Sequence, residues 1–190
     1  AKPYSAGNVT TNLGLQIITE PTVDGQVTSA NLVPRSSVQE TYAQILADLI
    51  AAKPLLNDEI GVFASKYSAA AILSRVYLQM EDYTRARDEA NDVIENSGAS
   101  LTSTYAGAFN NASPSSEDIF VLPVTAQDGT NDMWLFWSTG DYGARDGDVE
   151  VNQEHLDLYD PSDQRLALFW NADDIYYSGK YRYQYRFLSQ

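Results

Sequence analysis

VPRSSVQETYAQILADL, residues 33–49, passes from a proline break into a helix pattern within four residues. Ser37 stands where an N-cap belongs, and Glu40 follows three residues later. Together they form a capping box, which satisfies two free backbone N–H groups at a helix start. Val38, Tyr42, Ile45 and Leu49 then recur at helical spacing, and Leu46 and Ile50 widen the apolar stripe. Pro54 and Asn57 close the run, so the pattern predicts a helix over 37–52.

Downstream, KYSAAAILSRVYLQM (66–80) predicts a second helix, whose Ala69, Ala70 and Ala71 allow close packing. DYTRARDEANDVIEN (starting at Asp82) predicts a third over 83–96, with Ala86, Ala90 and Val93 on one face and Gly98 as C-cap. So short a link implies an antiparallel hairpin. Tyr77, Tyr83, Ala86 and Ala90 match the spacing of a tetratricopeptide helix pair, except that Glu81 stands where such repeats carry glycine. No second copy follows at that period. A lone pair cannot bury both faces, so it must pack on another element, first of all the helix at 37–52.

Around this centre the chain is less regular. Residues 1–36 form a lead-in broken by Pro21, Asp24, Gly25 and Pro34, with a small apolar patch at Leu13, Leu15, Ile17 and Ile18. After Gly98 comes a long Ser-, Thr-, Asn-, Ala- and Gly-rich loop over 99–117. EDIFVLPVT (117–125) reads as a strand that Pro123 confines to an edge. DMWLFWS (132–138) reads as a second extended segment, and 139–150 as a Gly- and Asp-rich loop. A short helix at about 152–160 precedes a segment at 163–170, and the tail reads as a hairpin turning at Ser178-Gly179. The fold class is therefore mainly α: a tetratricopeptide-like core at 37–98 between the lead-in and a loop-rich segment, 99–190, with short strands.

At 190 residues the chain buries roughly 70% of its extended surface, enough for a core without staples. A net charge of −14 repels nucleic acid and anionic lipid. No cysteine is present, which excludes disulfides and thiolate chemistry within the chain. No apolar run approaches the ~18 residues of a membrane span.

The quoted segments resemble the SusD/RagB family of nutrient-binding outer-membrane lipoproteins of Bacteroidetes. PYSAGNVTTNLGLQIITEPT resembles its lead-in, though Gln16 stands where proline is common. VPRSSVQETYAQILADLIAAKPLL closely resembles its PRS(T)-x-x-E-x-Y helix, and KYSAAAILSRVYLQMEDYTRARDEANDVI its central hairpin. LYDPSDQRLALFW resembles its Asp-x-Asp-x-Arg step, with Asp163 and Arg165 in the matching places. The likeness is tight over 33–97 and loose beyond 120. It implies one truncated domain, an internal piece of a protein more than twice as long whose lipid-bearing cysteine lies outside this chain. It also implies a glycan or oligosaccharide receptor on the cell-surface face of the outer membrane. Such a receptor serves nutrient uptake by handing ligand, uncut, to a TonB-dependent (SusC-like) transporter. A membrane would be reached through the lipid anchor alone. Two rival readings remain open: a protein-interaction scaffold using the hairpin as a groove, and an acid glycoside hydrolase.

Catalysis has little to draw on. His155 is the single histidine and sits in a polar helix pattern, as a surface or cap residue. Asp141, Asp146, Asp148 and Glu150 share one loop, but a raised carboxyl pKa takes burial or a close like charge. DGTND (128–132) and DGDVE (146–150) lack the interval of an EF-hand. The expectation is no catalytic residue, no metal ligand and no cofactor, with a calcium site closed by other residues left open.

Aromatic residues carry the sharper signal. Trp134, Phe136, Trp137, Tyr142, Trp170, Tyr176 and Tyr177 crowd the second half. Indole and phenol rings stack on the C–H faces of sugars, while hydroxyl hydrogen bonds add only ~1 kcal/mol net each against water. If 132–138 is extended, Met133, Leu135 and Trp137 share the core face and Trp134 is the outward platform. Tyr142, Asp141 and Arg145 in the next loop supply a ring, an acceptor and a forked donor. The expected glycan-binding set is Trp134, Trp137, Asp141, Tyr142 and Arg145. Trp170 and Tyr176 are assigned to core packing.

Overall fold

The computed structural model of the protein describes residues 3–21, 25, 27, 29–129, 131–145, 148–184 and 187–189. Asp146, Gly147, Tyr185 and Arg186, which enter the sequence readings of the acidic loop and the tail, lie outside the described residues. Two compact units are present: residues 1–59 with 64–98, and residues 60–63 with 99–190.

The first unit is built on three helices, α1 (Val38–Ala52), α2 (Lys66–Gln79) and α3 (Tyr83–Asn96). The capping box at α1 is present: Ser37 Oγ accepts from the Glu40 N–H, and Glu40 accepts from the Ser37 N–H at 2.8 Å. The irregular lead-in supplies further acceptors to the same helix start, because Asn12 O and Val9 O take the N–H groups of Val38 and Gln39. Gly14 makes that approach feasible, since a Cβ there would lie 2.6 Å from Ser37 O.

Leu73, Tyr77 and Ala86 form the buried heart of the helical unit, with Leu46, Leu49 and Met80 packed around them. Ser74 Oγ donates to Ala86 O at 2.9 Å, a contact that requires two closely docked helices. Lys53 reaches Glu89 and Asp92 at 2.7 and 2.9 Å and ties the end of α1 to α3. Burial pushes the Lys53 ammonium down, but hydrogen bonds to the two carboxylates outweigh it and leave its pKa raised.

The turn between α2 and α3 shows why glycine is the usual residue at Glu81. The Asp82 N–H bonds Tyr77 O and the Glu81 N–H bonds Leu78 O, the two bonds of a Schellman cap. That cap holds Glu81 at φ +61°, a left-handed conformation that a Cβ disfavours. Glu81→Gly should therefore raise stability by about 1 kcal/mol. Urea denaturation checks this, and an unchanged or lowered midpoint would contradict it.

In the second unit, Glu117 holds the long loop by accepting from the Thr102 N–H and Oγ–H at 2.8 and 2.7 Å. Strand β1 (Val121–Pro123) pairs antiparallel with β4 (Phe187–Ser189), and Pro123 lies at the edge position expected of it. Strands β2 (Phe169–Ala172) and β3 (Ile175–Ser178) form a separate antiparallel hairpin.

Two sequence readings are corrected here. First, 132–138 is helix α4 (Asp132–Trp137), not a strand. Asn131 caps it, accepting from the Met133 N–H at 3.0 Å. Second, the hairpin turns at Asp173-Asp174, not at Ser178-Gly179. Both aspartates have positive φ, +50° and +64°, the paired signs of the two-residue turn whose twist suits a hairpin. Beyond β3 the chain leaves the ribbon because Asn110 seizes it: Asn110 Nδ2 donates to Gly179 O, and Asn110 Oδ1 accepts from the Arg182 N–H at 2.7 Å. The expected 152–160 helix shortens to α5 (Gln153–Leu156), capped by Asn152.

Candidate functional site

The correction at α4 inverts the roles of two tryptophans. On a helix, Trp134 faces inward and is 9% exposed, so it is not the outward platform that an extended reading assigns to it. Its indole Nε1 donates to Tyr142 O at 3.2 Å. The loop bends over the indole: Thr139 O accepts from the N–H groups of Tyr142 and Ala144, and Gly143 takes φ +77°. Trp134 is thus the support on which the Tyr142 turn is set.

What that turn presents is a ring cluster. The Tyr142 ring lies 5.3 Å from the Trp170 ring at 57°. Asp141 Oδ2 accepts from Trp170 Nε1 at 3.0 Å and fixes the indole edge. The Arg182 guanidinium lies 5.5 Å from the Tyr142 ring centre and 5.8 Å from that of Trp170. Trp170 is 37% exposed. A tilted aromatic pair with an acceptor at one edge and a guanidinium over part of its rings can stack an apolar ring face on the side left open and bind hydroxyl groups beside it.

Of the five residues expected from sequence, Asp141 and Tyr142 belong to this cluster. Trp134 supports it from below. Arg145 turns instead to Asp148, at 3.0 Å, and to the Phe136 ring, at 5.6 Å. Trp137 is 39% exposed on α4. Trp170 and Arg182 are the two members that sequence reasoning missed. Trp170 precedes a turn at Asp173-Asp174 that the sequence places at Ser178-Gly179, and its cross-strand partner Tyr177, on the same face, is buried, which by itself points Trp170 to the core. Nothing local marks Arg182, whose position depends on Asn110.

The acidic stretches are occupied with local work. Asp128 accepts from the Thr125 N–H and Oγ–H, and these bonds hold its pKa below the usual carboxylate range. Asp163 caps the 3-10 turn Gln164–Leu168 and chelates Arg165, whose hydrogen bonds bring its pKa down to about 2. Among the described residues no group of three or more His, Asp or Glu side chains converges on one point.

The match with known proteins is consistent with this architecture. A SusD-like family model, described as "Starch-binding associating with outer membrane", matches residues 5–78, the lead-in through α2. No curated protein matches the chain significantly. A SusD superfamily protein from Bacteroides thetaiotaomicron superposes with a TM-score of 0.78 at 25% identity over 96% of this chain and 43% of that one. Another from Bacteroides vulgatus gives 0.71 at 25% identity, over 86% of this chain and 41% of that one. A SusD-like carbohydrate binding protein from the same species gives 0.69 at 20%, over 94% and 41%. This chain therefore spans under half the length of the solved structures it matches. Residues 5–78 thus match a SusD-like family model, and the fold of the chain is that of the solved SusD superfamily structures.

Proposed function

We propose that this protein binds neutral glycan at the bacterial cell surface and cuts no bond. The observation that carries the reading is the Tyr142–Trp170 ring pair, edged by Asp141, with the Arg182 guanidinium over the rings, and braced by buried Trp134. A pyranose laid on the rings gains apolar contact, and the charged edges serve its hydroxyls. The SusD-like family matched by residues 5–78, starch-binding and associating with the outer membrane, supports the same reading. In the full account the ligand passes intact to a TonB-dependent, SusC-like transporter, and a lipid anchor holds the protein at the outer membrane. No cofactor is needed for this role.

A hydrolase would need one carboxyl raised enough to donate a proton. Among the described residues, each carboxyl group whose environment shifts its pKa is shifted down, by hydrogen bonds from Ser, Arg, Lys or Thr partners. Electrophoresis in native gels containing soluble starch, with a reducing-end assay on the same mixture, tests the proposal. Retarded migration with no new reducing ends is the expected result. Unretarded migration in starch and in a panel of other neutral polysaccharides would overturn it.

A further inference from the structure

The β2–β3 hairpin has two faces, and the ring pair uses one of them. Register places Trp170 opposite Tyr177, and Asn171 opposite Tyr176. Side chains alternate along a strand, so Phe169 and Tyr176 share the face opposite that of Trp170. On that second face lies a pocket of about 600 Å³, walled by Tyr159, Phe169, Tyr176, Leu156 and Leu166. Its size falls within the usual range for small-ligand sites.

The walls are built, not incidental. Tyr159 packs on Phe169 at 5.6 Å, and His155 packs edge-on against both rings at 5.4 and 5.7 Å. Tyr159 OH and His155 Nε2 lie 3.2 Å apart. Val151 joins the ribbon by donating its N–H to Tyr176 O at 2.7 Å, which sets α5 over the pocket. Polar side chains also line it: Gln153 Nε2 donates to Asp157 Oδ1 at 2.7 Å. Among the described residues lining the pocket none is cationic. Arg165 stacks on the Tyr159 ring at 4.7 Å, but its charge is committed to Asp163. Aromatic walls, an uncharged amide, one carboxylate and a net charge of −14 disfavour an anion and suit a neutral sugar.

We propose that this pocket is a second carbohydrate subsite, taking a short neutral oligosaccharide segment independently of the Tyr142–Trp170 pair. The proposal rests on the glycan-binding reading above. Because the two faces of the ribbon point apart, one sugar unit cannot touch both, so the unit engages two chain segments and gains avidity for polysaccharide.

Isothermal titration calorimetry of the protein with maltoheptaose, cellohexaose and mannohexaose, tried in turn, reads the number of sites. Two equivalents per chain are expected for the best probe. Gln153→Trp and, separately, Asp157→Trp fill the pocket from exposed positions; each should reduce the count to one at an unchanged melting temperature. Trp170→Ala should also leave one, and Gln153→Trp with Trp170→Ala none. A count of one that Trp170→Ala abolishes and both pocket variants preserve overturns the subsite and leaves the glycan reading standing. Binding that survives Trp170→Ala undiminished but is lost in both pocket variants supports the pocket and removes the ring pair. No heat with any probe overturns both.

Discussion

Trp134→Ala is expected to cost about 3–5 kcal/mol of stability, the range for deleting a buried aromatic side chain. Two losses add. The indole is buried, so its removal leaves a cavity beneath the Gly140–Tyr142 turn. It also donates to Tyr142 O, and that carbonyl then loses a partner. Thermal and urea denaturation read the effect directly. A Trp134→Ala protein with wild-type stability would show that the indole is not the support of this turn. Glycan affinity should fall in the same variant as a consequence of the disturbed turn, so affinity alone would misassign Trp134 as a contact residue.

Trp170→Ala is expected to weaken glycan binding at the ring pair at least tenfold while moving the melting temperature little. Trp170 is exposed enough that its removal opens no closed cavity. What it loses is the stacking face and the bond that orients Asp141. Tenfold corresponds to about 1.4 kcal/mol, a modest share of what a fully covered indole face contributes. Affinity electrophoresis alongside circular dichroism separates the two effects. Wild-type retardation by folded Trp170→Ala protein would remove the ring pair from the site.

The helical unit was legible in the sequence because its signals are local. Ser37 and Glu40 announce α1 within four residues, and the alanines of α2 and α3 sit at spacings that only closely packed helices require. Even the misfit is readable: Glu81 departs from the glycine of such repeats, and the positive φ supplies its cause. The second unit was harder because its elements are too short to show a period. Six residues of α4 make an apolar run that reads equally well as strand or helix, and Asn131 as N-cap was the cue that would have decided it. Choosing strand put Trp134 outside and, with the turn misplaced beyond Asp173-Asp174, left Trp170 in the core. Arg182 joins the cluster through Asn110, seventy-two residues away, a pairing no local pattern contains.

The central claim is that the exposed rings of the second unit hold glycan while Trp134 stays beneath them. The three indole N–H groups report on this separately in a two-dimensional 1H–15N NMR spectrum, with each signal assigned by Trp→Phe substitution. Titration with the oligosaccharide that binds best should shift the Trp170 signal strongly, since its N–H is bonded to Asp141 at the ring edge, and should leave the Trp134 signal nearly in place. A saturating titration in which the Trp170 indole does not move would contradict the account.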